Sequence, residues 1–544
     1  MIKEKFEKLL QEEIKNKENL ESLLKEFYKI TDEIYSIRNR TYVNWTGNTK
    51  NKEYEEKYKN FIEKIDPELK KYTFNFYKKI FDSGFIDEIE NQVFKKIIEV
   101  EIRLHREENI ELEKKEEELK MEYEKIISEF SFELEGKKLT LSEIESKLEN
   151  KEREIREKAF FEMHFNIYKK REKFNKLMDE LVKLRNKKAI NADFKNYRDM
   201  CWIQLLRFDY RPEDTDEYRE GVRKYIKPIY ENYLEILKEK LKLKEIKPWD
   251  IFASIFQRDE IKLFKDEEEL IKLALNVAER IDPFFKEVIE ILYKNKRLDL
   301  MARENKSQGG YMVYIHEDKL PYIFMNASGK IDDFMTFMHE LGHCVNYMLS
   351  RDIENPYIRM PVSEFAELIS IAMEFFTLEE LKNIIDENLY KDIFTKYYSL
   401  ILKRLTHIGK IDGFQHFLYL NPDHSWEKRE SYFIELDKKL SPSNVNWDSI
   451  EYLKNVTWYK QLHIFLYPFY YIDYGIALLS AIRLWKIYRE NKKDAITRYK
   501  RGMSLGGTKT LKELFESTGI EFSLNERNIL EVSEYLKELI EEIL

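Results

Sequence analysis

Cysteine is nearly absent, with only Cys201 and Cys344 in 544 residues. That excludes a disulfide framework and leads us to expect a reducing, cytoplasmic setting. No run of 18 or more apolar residues occurs either. The nearest approach, Ile464 to Leu484, is interrupted by Asp473 and Arg483, so no membrane-spanning helix is expected. Met1-Ile-Lys-Glu-Lys-Phe-Glu-Lys opens on mixed charges, unlike the basic stretch and apolar run of a secretory leader. Nor does one sign of charge dominate. The 94 Lys and Arg stand against 103 Asp and Glu, a net of −9, which argues against a nucleic-acid partner held by a basic face and against a polybasic membrane anchor.

Proline is missing between Pro67 and Pro212, and runs such as Glu111-Leu-Glu-Lys-Lys-Glu-Glu-Glu-Leu-Lys120 favour long helices with solvated outer faces. No internal repeat or low-complexity linker stands out. Gly506-Gly507 lacks the following Lys-Ser or Lys-Thr of a phosphate loop. What is present is 43% hydrophobic residues, enough for a large core. We read residues 1–150 as an N-terminal helical region and 151–544 as the catalytic region of a mainly α protein. Gly136 suggests a turn into a further helix. The mix of Arg, Asp and Tyr in Asn196-Tyr-Arg-Asp199 and Arg207-Phe-Asp-Tyr210 suggests buried ion pairs that brace helices.

The informative stretch is Phe334-Met-Thr-Phe-Met-His-Glu-Leu-Gly-His-Cys-Val-Asn-Tyr-Met348. Phe334, Phe337, Met338, Leu341, Val345 and Met348 recur at helical spacing, so one face packs. His339 and His343, four apart, share a face and offer two nitrogens to one zinc ion. Glu340, about 100° round the helix, can reach a water held there. Cys344 points away and reads as a packing residue. A catalytic zinc needs a third ligand. Downstream, Glu367, Ser370 and Glu374 form one stripe of an otherwise apolar helix, and acids there need partners. Glu367 is the leading third ligand, with Glu364 its competitor, and Glu374 suits the other ring nitrogen of a ligand histidine.

Short β-type runs precede this helix, Gly309 to Ile315 and Pro321 to Asn326, separated by the polar His316-Glu-Asp-Lys319. They predict a small hairpin with His316 as a surface turn residue. An edge strand there is either purely structural or a place for an extended peptide. His416 and His424, among aromatics, read as packed. Farther on, His463 is followed by Tyr467, Tyr470, Tyr471 and Tyr474, plausible hydrogen-bond donors. Pro468 suits the first turn of a helix, which would set Tyr470 and Tyr474 on one face with Tyr471 beside it.

Together with Phe194 to Asp199, Arg207 to Tyr210, Gly309-Gly-Tyr311, Tyr322 to Gly329 and Trp458 to Ala477, these segments resemble the oligoendopeptidase F and thimet oligopeptidase family of zinc peptidases, especially its Pz-peptidase-like branch. The resemblance implies one zinc ion held by His339, His343 and Glu367, with Glu340 as general base. It implies oxyanion contacts from His463 and Tyr474, and substrate contacts from Tyr470, Tyr471, Gly310 and Tyr311. It further implies two helical halves around a deep channel, with oligopeptides as substrates. The oligomeric state stays open. Two other readings share the same residues: a zinc carboxypeptidase, and a helical peptide-binding protein with a relict metal site.

Overall fold

The computed structural model describes residues 2–258 and 261–543. Helices make up 71% of the chain, in keeping with the mainly α expectation. Strands β1 (Phe132–Leu134) and β2 (Lys137–Leu139) form a small antiparallel pair. Their two-residue turn, Glu135 and Gly136, has φ of 52° and 76°, the positive values that a tight hairpin requires. The second sheet holds β3 (Leu298–Met301), β4 (Tyr311–Ile315) and β5 (Leu320–Ala327) in the order β3-β5-β4. The expected hairpin is β4–β5, and β4 is one of the sheet's two edge strands. The sequence reading had no counterpart for β3, which runs parallel to β5.

The chain divides into two compact units, each built from separate stretches. The first comprises Met1–Arg103, Ile261–Ile384 and Ser480–Phe522, and the second Leu104–Glu260, Ile385–Leu479 and Ser523–Leu544. Residues 1–150 therefore contribute to both. Burial and charge explain why. Phe6, Phe27, Ile34 and Phe76 share a core with Ile358. Within that unit the fully buried Arg359 bonds Asp32 of helix α1 (Lys17–Gly47) through both terminal nitrogens, at 2.6 and 2.8 Å. Glu116 instead pairs with Arg185 and Lys188 in the second unit, at 2.7 and 2.8 Å.

In the first unit the turn of the β4–β5 hairpin is tied down on two sides. Arg40 of α1 pairs with Glu317 and Asp318. His316 is half-buried, with Nδ1 3.1 Å from the Tyr347 hydroxyl and Nε2 3.4 Å from Asp32, so it braces the hairpin and is more than a surface turn residue. Tyr347 lies on α2 (Ile331–Ser350), the helix of the two histidines. Its start is well specified. Asp333 accepts from the backbone N–H groups of Ser328 and Lys330, at 2.6 and 3.0 Å. Gly329 has φ +105°, and a Cβ there would lie 2.5 Å from the Phe264 carbonyl oxygen. Phe334, Phe337, Met338, Leu341, Cys344 and Val345 are fully buried.

Helix α3 (Ser363–Leu381) packs on α2 at Gly342, where a Cβ would stand 2.9 Å from Ser370 Cα and 3.3 Å from Met373 Cβ. Glycine lets the two backbones approach closely. In the second unit, Arg185 also bonds the Tyr419 hydroxyl at 2.7 Å and the Phe465 carbonyl at 2.5 Å. Arg207 donates to the Phe469 carbonyl at 2.7 Å and pairs with Asp473, as its motif suggested. Among the described residues no helix is long and apolar enough to cross a membrane.

An ordinary mid-helix glycine gains about 1 kcal/mol on replacement by alanine. At position 342 overpacking, about 1–3 kcal/mol, opposes that gain. We therefore expect Gly342→Ala to lower the melting temperature in differential scanning calorimetry. A raised melting temperature would show that the crossing has room for a methyl group.

Candidate metal centre

His339 and His343 project from α2 and Glu367 from α3, and one ligand atom from each lies within 4.8 Å of the others. His339 Nε2 is 3.5 Å from Glu367 Oε2. Two ligands about 2.1 Å from a tetrahedral zinc stand roughly 3.4 Å apart, so the spacing fits that ion. The competitor Glu364 is buried on the same helix but is not one of the three.

The remaining ring nitrogens are held from behind. His339 Nδ1 is 2.7 Å from Glu374 Oε1. Ser370 Oγ donates to the Ala366 carbonyl at 3.1 Å and lies 2.9 Å from His343 Nδ1. With its own proton committed, Ser370 accepts the Nδ1 proton. Both histidines thus turn Nε2 toward one point, the orientation that metal ligation needs.

The electrostatics point the same way. Burial penalises the charged form of His339, but hydrogen bonds to Glu367 and Glu374 and their charges outweigh it and hold the ring well above its ordinary value. Two carboxylates thus draw positive charge to this spot. Burial and the neighbouring His339 push His343 down to about 4, so its ring is neutral at pH 7. Burial also lifts Glu340 to about 7. Glu367 and Glu374 add to that shift, while His339 and the Met312 backbone N–H oppose it.

Met312 belongs to the edge strand β4, so the outer side of that strand meets Glu340 directly. Another edge group, the Tyr314 carbonyl, accepts from Asn39 at 2.8 Å. Gly310 lies exposed just before β4, where an added Cβ would meet only ordinary contacts, 3.5 Å from Met325 Cβ and 3.6 Å from Thr336 Cγ2. The Tyr311 ring packs between Tyr42 and Phe324, with centroids 5.0 and 4.8 Å away, and its hydroxyl bonds Thr46. The Tyr311 side chain is therefore committed within the protein.

A second cluster occupies the second unit. The His463 ring, on the short helix α4 (Leu462–Leu466), lies 6.1, 4.8 and 5.9 Å from the rings of Tyr470, Tyr471 and Tyr474. Burial pushes Tyr471 up to about 12, so its hydroxyl remains a donor. Here one expectation is corrected. Pro468 does not open a helix: residues 467–471 form a turn, and α5 (Ile472–Glu490) starts after it. Phe469 has φ +63°, with its N–H bonded to Gln415 at 2.7 Å and its carbonyl to Arg207, and that left-handed residue interrupts any earlier helix. Tyr470 and Tyr474 still meet, with ring centroids 5.5 Å apart. His416 and His424 are committed elsewhere, to Thr215 at 3.1 Å and Arg429 at 2.8 Å.

Two contributors had no assigned part in the sequence reading. Ser370 stands on the acidic stripe, and a hydroxyl one turn from the candidate ligand Glu367 is its signal in the sequence. Gly342 was visible as a glycine inside a helix, a costly choice that asks for a packing reason.

Comparison with known proteins places the chain in a family. The sequence model of Peptidase family M3 matches residues 146–531, and that of the Peptidase M3 N-terminal domain matches residues 1–105. An oligoendopeptidase F homolog of Borreliella burgdorferi is 26% identical over 385 residues, 69% of this chain and 63% of that protein. The chromosomal oligoendopeptidase F of Lactococcus lactis subsp. cremoris is 25% identical over 257 residues, 47% of this chain and 40% of that protein. The matches thus span less than two thirds of these curated relatives' length. The solved structure of Pz peptidase A with inhibitor 2 superposes with a TM-score of 0.89 at 26% identity, covering 99% of this chain and 97% of its own. With well over half of its length matched by the family model, the chain belongs to Peptidase family M3.

Proposed function

We propose that this protein is a zinc-dependent metalloendopeptidase that hydrolyses internal bonds of short oligopeptides. The observation that carries the reading is the convergence of His339, His343 and Glu367 beside a buried carboxylate, Glu340, on the same helix. The names of the relatives, oligoendopeptidases, agree with it. The residues given roles all lie in 151–544, which we take as the catalytic region. Two buried thiols suit a reducing cytoplasm.

His339, His343 and Glu367 would hold the zinc, which supplies Lewis acidity toward the scissile carbonyl. Glu340 takes a proton from the attacking water and delivers it to the leaving amine. A carboxylate lifted toward neutrality is suited to both transfers. Glu374 and Ser370 hold the two imidazoles in their ligating tautomers. The edge strand β4 offers main-chain groups around Gly310 and Tyr311 to an extended peptide, binding that depends little on side-chain identity. His463 and Tyr474 donate hydrogen bonds to the oxyanion as it develops, with Tyr470 and Tyr471 contacting substrate.

Elemental analysis of the purified protein should find one zinc per chain. Glu340→Gln should keep that zinc and lose about 10²–10⁴-fold in kcat, the usual contribution of a general base. Unimpaired turnover would remove Glu340 from the mechanism. Ser370→Ala should weaken zinc binding by about 10–100-fold in a competitive chelator titration. An unchanged affinity would mean that the Ser370–His343 bond does not orient the ligand.

A further inference from the structure

His463 is joined to two polar residues that the proposed mechanism leaves unused. Gln461 Nε2 lies 2.8 Å from His463 Nδ1, and Gln461 Oε1 lies 3.0 Å from His407 Nε2. All three side chains belong to the second unit and are half-buried. Gln461 is itself pinned through its main chain. Its N–H bonds the Trp458 carbonyl at 3.3 Å, and its carbonyl accepts from Ile464 at 3.1 Å.

The orientation of the Gln461 amide, oxygen toward His407 and nitrogen toward His463, fixes the protons. Burial, with Lys410, Lys403 and Lys460 nearby, pushes His407 down to about 3 against its bond to Gln461. At neutral pH its ring therefore carries one proton, which the facing amide oxygen, able only to accept, places on Nε2. The amide then turns its NH₂ toward His463 and donates to Nδ1. A neutral His463 with an accepting Nδ1 carries its own proton on Nε2. A reversed amide would give the opposite result, a protonated Nδ1 and an Nε2 that can only accept. The orientation of one amide decides whether His463 can stabilise an oxyanion without first becoming charged.

We infer that Gln461, oriented by His407, is a positioning residue that holds His463 as a neutral Nε2–H donor for the oxyanion of the peptide being cleaved. The inference rests on the peptidase reading for its consequence, whereas the tautomer is a property of the protein alone. The rings of Tyr467, Tyr470, Tyr471 and Tyr474 also face His463. Arg404 acts on Tyr471, and the three lysines act on His407.

Glutamate at position 461 would reverse the arrangement. A carboxylate only accepts, so it would draw the proton of His463 to Nδ1. Nε2 would then be protonated in the imidazolium alone. The carboxylate raises the pKa of His463, so donor activity is present below that raised value and lost as pH passes above it.

The test uses full-length, zinc-loaded protein labelled with ¹⁵N-histidine, with His463→Gln assigning the resonance, alongside kcat and KM from pH 5.5 to 9. We expect His463 to show an unprotonated Nδ1 and a protonated Nε2. Gln461→Met should lower kcat about 10–100-fold with KM changed less than about threefold, short of the loss of a full oxyanion donor. Gln461→Glu should add a descending limb to the kcat profile that the wild type lacks. Zinc content and melting temperature should stay at the wild-type values in both variants. A wild-type His463 protonated on Nδ1, or a Gln461→Glu profile identical to wild type, would overturn the inference. An Nε2–H ring in a protein that cleaves no peptide would uphold the tautomer assignment and count against the peptidase reading.

Discussion

Three carboxylates, those of Glu340, Glu367 and Glu374, are buried around two imidazoles, and the centre of the first unit depends on that concentration of acid. Removing a carboxylate from water costs several kcal/mol unless positive charge or donors replace the solvent. The surrounding protein contributes the His339 ring proton to Glu374 and the Met312 N–H to Glu340. Against burial, hydrogen bonds to Glu367 and Glu374 raise the His339 pKa well above its ordinary value. A divalent cation held by His339, His343 and Glu367 would answer this concentration of acid, so the donor set fits a metal ion better than a structural ion-pair network.

The packing follows from that requirement. Ligands and the groups behind them come from two helices, so the helices must lie close enough for a serine hydroxyl to span the gap. Gly342 permits this, and the apolar face of α2 from Phe334 to Val345 supplies the burial that keeps the crossing rigid. The hairpin is fixed to the same helix by the stack of Tyr314 on Tyr347, at 4.7 Å, and by the bond from His316 to the Tyr347 hydroxyl. Edge strand and Glu340 are thereby held in one frame. In the second unit a comparable economy holds the turn before α5. Three buried side chains, Arg185, Arg207 and Gln415, take up the main-chain groups of Phe465 and Phe469.

Much of this was legible in the sequence because it obeys local periods. Residues four apart on a helix share a face, so the approach of His339 to His343 follows from spacing alone, and the stripe of Glu367, Ser370 and Glu374 follows from the same rule. The β4–β5 hairpin was visible in alternating apolar runs. What escaped depends on partners distant in the chain. The short strand β3 is a strand because β5 lies beside it. The turn at Phe469 replaces a helical start because Arg207 and Gln415, hundreds or tens of residues away, hold its main chain. The division into two units, each of interleaved stretches, arises from long-range pairs such as Asp32 with Arg359, which no local pattern announces. Gln461 was overlooked for a similar reason: its partner His407 is remote in the chain.

The central claim is that this buried centre hydrolyses internal bonds of short peptides. Its most direct test is mass-spectrometric mapping of the cuts made in a peptide mixture of graded length by the zinc-loaded protein, against a chelator-treated control. The account predicts internal cuts in short peptides that disappear when the metal is removed. Trimming confined to C-terminal residues, or no cleavage by protein shown to contain zinc, would contradict it.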